Sequence, residues 1–204
     1  FAFHDMKYIK EANEKYILMK EVEGEPNIYE NALIYDYILS ADNPNSQIIQ
    51  YLVNRGAKFE VHDEGYSGRT PMHFWARQNN YELLELAIKG GANVDMQTRL
   101  IQESEYNETL LFEAVKEAET YKVTKLLIEL GANVNFITPT SPLDNAKGSR
   151  NKKLLKDAGA MTSAQLDKKY NIYWDSEECE KDESYMEKYC KLLNDAIKKA
   201  KENG

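Results

Sequence analysis

The stretch Thr70–Ala76 reads TPMHFWA, and GGANVD follows it at Gly90–Asp95. Threonine begins helices well, because its hydroxyl can accept a free backbone N–H of the first turn. Pro71 suits the first helical position, where its missing N–H removes no hydrogen bond. Gly91 suits a helix end, since glycine adopts the left-handed conformation at little cost. The stretch therefore predicts two short helices around the polar turn Gln78–Asn80.

This arrangement recurs along the chain. An apolar run followed by Gly-Ala occurs four times, with spacings of 35, 40 and 28 residues between the glycines Gly56, Gly91, Gly131 and Gly159. A helix-start segment precedes each pair, and these segments begin at Asn31, Thr70, Thr109 and Ser141. One helix pair cannot bury its apolar face alone, so we expect the units to stack around a continuous core.

The pattern resembles the ankyrin repeat, a unit of about 33 residues whose first helix opens with TPLH. The resemblance extends from Asn31 to Ala160 and is strongest over Gly68–Val94. It implies an all-α ankyrin-repeat solenoid of about four helix-pair units with β-hairpin fingers, plus N-terminal and C-terminal capping helices. The expected boundaries are 1–29 for the N-terminal helix, 30–66, 67–104, 105–138 and 139–161 for the repeats, and 162–204 for a C-terminal helical extension.

Several positions depart from the family pattern. Trp75 stands where the family prefers alanine, so neighbouring helices must make room for an indole. The finger Asp95–Asn107 is about six residues longer than the family norm. Asp144 replaces the motif histidine in the last unit, whose first helix we expect to be short. The first unit has a longer turn, around residues 40–46.

His73 is interpreted as scaffold: the motif histidine, packed at a helix start and bonded to the backbone of the adjoining finger. Catalysis by a histidine needs a nucleophile or second base within reach, and His4 and His62 form no motif with it. GYSGRT at Gly65–Thr70 does not satisfy the G-x-S-x-G pattern. We predict no enzyme activity, catalytic residues, metal ligands or cofactor.

Helical segments are also expected at the two ends. An apolar stripe predicts a helix from about Asp5 to Lys20, and a small helix is expected over Ser163–Tyr170. A long helix to about Lys201 carries a stripe at helical spacing, formed by Met186, Tyr189, Cys190, Leu193, Ala196, Ile197 and Ala200. This stripe either packs back on the last repeat or binds a partner. The acidic run Asp175–Glu183 is either a solvated face or a lure for a basic partner.

Composition limits the partners. The chain has 204 residues and a formal net charge of −8, which disfavours nucleic acid because binding it needs a basic face. No apolar run approaches the roughly 18 residues of a membrane span.

Cys179 and Cys190 are too far apart on one helix for a disulfide, so two free thiols favour the cytoplasm. The chain begins at Phe1, which is compatible with a removed signal peptide. We expect a protein partner and a chain that is monomeric alone.

The resemblance also implies where a partner would bind, since ankyrin repeats use their finger tips and first helices. The corresponding residues are Tyr66, Arg69, Arg77, Gln78, Tyr106, Glu108, Lys116 and Glu117, and the scaffold positions are Thr70, Pro71, His73, Gly91, Thr109, Gly131 and Gly159. Three functions remain open: an interaction adaptor, a dedicated inhibitor such as an immunity protein that neutralises a toxin, or the recognition part of a larger effector. The Lys-, Asn-, Ile- and Tyr-rich composition favours a bacterial source.

Overall fold

The computed structural model of the chain describes residues 46–54, 59, 68–98, 107–172 and 185–203. These residues form helices α1 (Ser46–Asn54), α2 (Pro71–Arg77), α3 (Tyr81–Lys89), α4 (Leu110–Val115), α5 (Tyr121–Glu129), α6 (Pro142–Asn145), α7 (Ser149–Asp157), α8 (Ser163–Tyr170) and α9 (Tyr185–Glu202). The β structure of the described part is one antiparallel bridge between Gln97 and Thr109. The predicted helix over residues 5–20, Tyr66, Tyr106, Cys179 and the acidic run lie outside these residues.

The first helix of each complete unit begins where the cap residues predict. The Thr109 hydroxyl accepts the Phe112 backbone N–H at 3.2 Å, and the Ser141 hydroxyl accepts the Asp144 N–H at 3.2 Å. Helices α2 and α6 start on Pro71 and Pro142. Helix α6 has only four residues, as the short spacing of the last unit predicted.

The second helix of each complete unit ends before a glycine with positive φ. The φ angles are 102° at Gly91, 92° at Gly131 and 82° at Gly159. Gly90, the neighbour of Gly91, has an ordinary helical φ of −76°. No atom would lie within 4 Å of a Cβ added at Gly91, so the glycine is required by backbone conformation and not by space.

Gly91→Val is expected to lower the free energy of unfolding by about 2–3 kcal/mol, because a β-branched residue is strained at this φ. Gly90→Val is the matched control, because Gly90 is adjacent to Gly91 but has a backbone conformation that every residue can adopt. Chemical denaturation measures the stability of both variants. Equal stabilities for the two variants would contradict the role given to Gly91.

The units stack in two layers. The first helices pack in the order α2, α4, α6, while the second helices pack in the order α1, α3, α5, α7. One hydrophobic core runs between the layers from Ile48 and Ile49 to Leu155. Each fully buried Leu or Ile side chain contributes roughly 1.5–3 kcal/mol. The predicted all-α repeat solenoid is confirmed, with the second helix of the first unit and three complete helix pairs in the described part.

Asparagine and aspartate side chains form hydrogen bonds between the turns of successive repeat units. Asp95 accepts the Asn133 backbone N–H at 2.8 Å. One repeat later, the Asn135 side chain donates to the Gly159 carbonyl at 3.2 Å and accepts the Met161 N–H at 2.8 Å. These bonds satisfy backbone groups that would otherwise lie unpaired between the units.

The C-terminal helix α9 packs back on the last finger and on α8, which is the first of the two arrangements that the sequence left open. Ile137, Leu166, Tyr189, Leu193 and Ile197 form a second buried cluster, whereas Ala200 of the predicted stripe is exposed. The Asn194 side chain accepts the Ile137 N–H at 2.8 Å and donates to its carbonyl at 3.0 Å. This amide pair fixes the helix to the finger backbone.

Candidate functional site

The long finger of the second unit is closed at its base by backbone and side-chain hydrogen bonds. The Thr98 N–H donates to the Glu108 carbonyl at 2.9 Å. In return, the Glu108 N–H donates to the Thr98 hydroxyl at 3.0 Å. These two hydrogen bonds fix the backbone of Glu108, which precedes α4. They therefore limit the directions that the Glu108 side chain can take.

Four charged side chains form a network between the second and third units. Arg69 contacts Glu113 through Nε at 2.8 Å and Nη2 at 2.7 Å, and it contacts Glu108 at 3.2 Å. Lys116 contacts Glu108 at 2.5 Å and lies 4.9 Å from the centroid of the Phe112 ring. The side chains of Arg69, Glu108 and Lys116 are 25%, 15% and 28% exposed, and that of Glu113 is fully buried. We call these four residues the charge network.

The two carboxyl groups of the charge network titrate as a pair. Burial raises the pKa of Glu108, and the neighbouring Glu113 carboxylate adds to this, against the opposing effect of Lys116. Burial acts in the same direction on Glu113, but Glu108, Lys116 and Arg69 together hold the pKa of Glu113 below its ordinary value of 4.5. Glu113 Oε2 receives no hydrogen bond from the other described residues.

A second ion pair joins the C-terminal ends of α2 and α4. Arg77 Nε lies 3.5 Å from Glu117 Oε1, and the two side chains are 57% and 40% exposed. Beside this pair, Phe74, Gln78 and Asn79 line an open groove of about 460 Å³. An exposed pair of this kind contributes about 0–1 kcal/mol, so it adds little to the stability of the fold.

Six of the eight predicted partner-binding residues are described, and the structure brings them together in two groups. Arg69, Glu108 and Lys116 belong to the charge network, whereas Arg77, Gln78 and Glu117 surround the groove. Each group joins the second unit to the third. Sequence reasoning missed Glu113, although a glutamate inside the apolar run Leu110–Val115 is a signal for a buried ion pair.

His73 is fully buried and connects the start of α2 to the base of the long finger. Its Nδ1 accepts the Thr70 backbone N–H at 3.1 Å, so that nitrogen carries no proton. The proton therefore lies on Nε2, which donates to the Glu108 carbonyl at 3.1 Å. Both ring nitrogens thus bond within the scaffold. In the last unit Asp144 makes a comparable connection by accepting the Ser163 N–H at 2.8 Å.

His73→Ala is expected to lower the free energy of unfolding by about 1–3 kcal/mol, because a buried N–H and a carbonyl lose their partner. Binding by the folded fraction should be nearly unchanged, as measured by titration well below the melting temperature. Loss of an activity or of affinity with stability intact would show that His73 has a functional role instead.

Within the described ranges, no cluster of three or more His, Cys, Asp or Glu side chains has a metal-binding arrangement. In the same part of the chain, none of the helices combines the length and apolar character needed to cross a bilayer. Cys190 is a free, half-buried thiol whose pKa burial raises to about 11.

The helices stack in pairs, and each second helix of a complete pair ends before a glycine. Side-chain hydrogen bonds join the turns of successive units. These features define a helical repeat protein. The sequence model for ankyrin repeats (three copies) matches residues 37–138, which is half of the chain, so the chain belongs to the ankyrin-repeat family.

No curated protein matches. The chain is similar to the crystal structure of the ankyrin repeat domain of Bcl-3, described as a unique member of the IkappaB protein family. The identity is 25% and the TM-score 0.48, over 54% of this chain and 46% of that one, so the match spans less than half of that domain. Ankyrin repeats are generally protein–protein interaction modules.

Proposed function

We propose that this protein is a non-enzymatic scaffold that binds a protein partner through the concave face of its fingers and first helices, across the second and third units. The observation that carries the proposal is the convergence of six predicted residues into two groups that each join those units. The charge network begins at the N-terminal ends of α2 and α4, and the Arg77–Glu117 pair joins their C-terminal ends.

The two groups offer different contacts to a partner. Arg77, Gln78 and Glu117 are exposed or half-exposed and border a groove, so they can bond to a partner directly. Arg69 and Lys116 are already held by carboxylates, and a side chain fixed before binding loses little conformational freedom on binding. Arginine and aromatic residues are favoured in the energetic centres of protein interfaces. The surface is therefore suited to a polar partner with an aromatic or apolar anchor.

The formal charge of −8 favours a basic partner. Complementary charges steer association, so the association rate should fall as salt concentration rises. A pull-down from the cells that produce the protein, followed by mass spectrometry, identifies the partner. An assay of that partner's own activity then separates an adaptor, which leaves the activity unchanged, from an inhibitor, which abolishes it.

Tyr66→Ala and Tyr106→Ala are each expected to weaken partner binding by about 1–2 kcal/mol, the range of an interface anchor. Titration calorimetry with the identified partner measures this loss, and the melting temperature should barely move. Glu85→Ala is the control, because Glu85 lies on the second helix α3 and bonds to Lys89 and Tyr81 of the same helix. Equal affinities for the double tyrosine variant and the control would exclude the concave face and direct attention to α9.

A further inference from the structure

Helix α9 and the finger bases enclose a crevice of about 300 Å³. One wall is the last finger, from Phe136 to Thr138, and the other is the side of α9 that carries Met186 and Cys190. Gln97 and Asn107, from the base of the long finger, also line the crevice. The volume is at the lower end of the range for small-molecule pockets, about 300–1,000 Å³, and it suits one or two side chains.

The crevice walls combine apolar surface with hydrogen-bonding groups. Phe136 and Met186 supply apolar surface. The side-chain amides of Gln97 and Asn107 make no hydrogen bond with another described residue, and each can donate and accept. Side-chain amides beside an apolar cleft match an extended peptide, whose backbone offers donors and acceptors next to side chains.

The rim of the crevice is mainly acidic. Glu187, Lys191 and Asp195 line it at intervals of four residues and therefore lie along one side of α9. All three are exposed, and Lys191 forms no ion pair with either carboxylate, unlike Lys89 and Glu85 on the described α3. Two carboxylates and one ammonium leave a net negative rim that complements a cationic residue.

We propose that this crevice binds an extended peptide segment of the protein partner. An apolar side chain of that segment enters between Phe136 and Met186, and an adjacent Lys or Arg pairs with Glu187 or Asp195. This inference rests on the proposed protein-binding function, and it adds a second contact area with a stated sequence preference.

The test uses the full chain and a phage-displayed library of random 12-residue peptides. The expected result is enrichment of peptides with an apolar residue next to Lys or Arg, whose synthetic versions bind in fluorescence polarisation. Glu187→Lys should weaken this binding about tenfold or more, because it reverses the charge of the rim. Glu202→Lys makes the same charge change at an exposed position of α9 outside the crevice, and should alter binding by less than about twofold.

A second pair of variants tests the apolar contact. Met186→Trp fills the crevice and should abolish binding of the selected peptides, whereas Leu192→Trp places the same indole at a position that is 59% exposed and does not line the crevice. Circular dichroism confirms that each variant is folded. If Met186→Trp fails to fold, the Glu187→Lys comparison decides alone. No enrichment, or equal binding by Glu187→Lys and Glu202→Lys, would overturn the proposal.

Failure of the crevice can be distinguished from failure of the proposed function. A partner that binds the double tyrosine variant more weakly, but binds Glu187→Lys and Met186→Trp normally, would contradict only the crevice proposal. If the pull-down captures no partner but the selected peptides bind in the crevice, only the concave-face proposal is contradicted.

Discussion

Glu113→Gln is expected to lower the free energy of unfolding by about 3–4 kcal/mol, near the lower end of the range for breaking a buried ion pair. Glu113 is fully buried and both Arg69 and Lys116 depend on it, so its removal leaves two cations with Glu108 alone. Arg69 and Lys116 are each about a quarter exposed, and water therefore reduces the loss. Urea denaturation at pH 7 measures the effect.

Glu119→Gln is the matched control, because Glu119 is an exposed glutamate just beyond α4, and its replacement should change stability by less than about 0.5 kcal/mol. The pKa of Glu113 is lowered in the folded state, so its stabilisation is present above its ordinary value of 4.5. That stabilisation is lost as pH falls through the lowered folded value. The difference between wild type and Glu113→Gln should therefore shrink at pH 3 to 4. A constant difference between pH 7 and pH 3 would show that the charge of Glu113 is not what stabilises the fold.

Trp75→Ala is expected to lower the free energy of unfolding by about 3–5 kcal/mol, the range for removing a large core aromatic. Trp75 is fully buried, and its ring packs edge-on against Phe59 with centroids 5.4 Å apart and planes at 67°. The second unit packs between its neighbours, so a cavity there weakens its contacts with both. Thermal and urea unfolding of the variant measure the loss.

Two further variants separate the causes of this effect. Trp75 Nε1 has no hydrogen-bond partner among the described residues, so Trp75→Phe removes an unsatisfied donor and should cost less than half as much as Trp75→Ala. Phe74→Ala removes a neighbouring aromatic that is only partly buried, and it should have a smaller effect than Trp75→Ala. A Trp75→Ala protein as stable as Phe74→Ala would mean that the indole is dispensable to the core.

The repeat architecture could be predicted because its determinants are local. Thr109 and Ser141 cap helices through bonds to residues three positions ahead, and Gly91 ends a unit through its own φ angle. Such features depend on a few adjacent residues, so their spacing along the chain is enough to locate the units. The apolar stripe of α9 was equally visible, but the sequence left open whether it packs on the repeats or on a partner.

The candidate site could be predicted only in part. Family positions indicated Arg69, Glu108 and Lys116 as surface contacts, but not that they pair with one another around Glu113. That arrangement joins residues 39 and 44 positions apart, and the distances depend on how α2 packs against α4. Tyr66 and Tyr106 lie outside the described residues, so their part in binding stays a prediction.

The sequence by itself determined the helix starts, the glycine-ended turns and the repeat period, because caps and left-handed turns are set by short-range hydrogen bonds and backbone sterics. Only the tertiary structure decided that Glu113 is a buried ion-pair partner and that α9 and the finger bases form a crevice. These features depend on distances between units. Those distances follow from how the helices stack, which the spacing of residues along one chain does not specify.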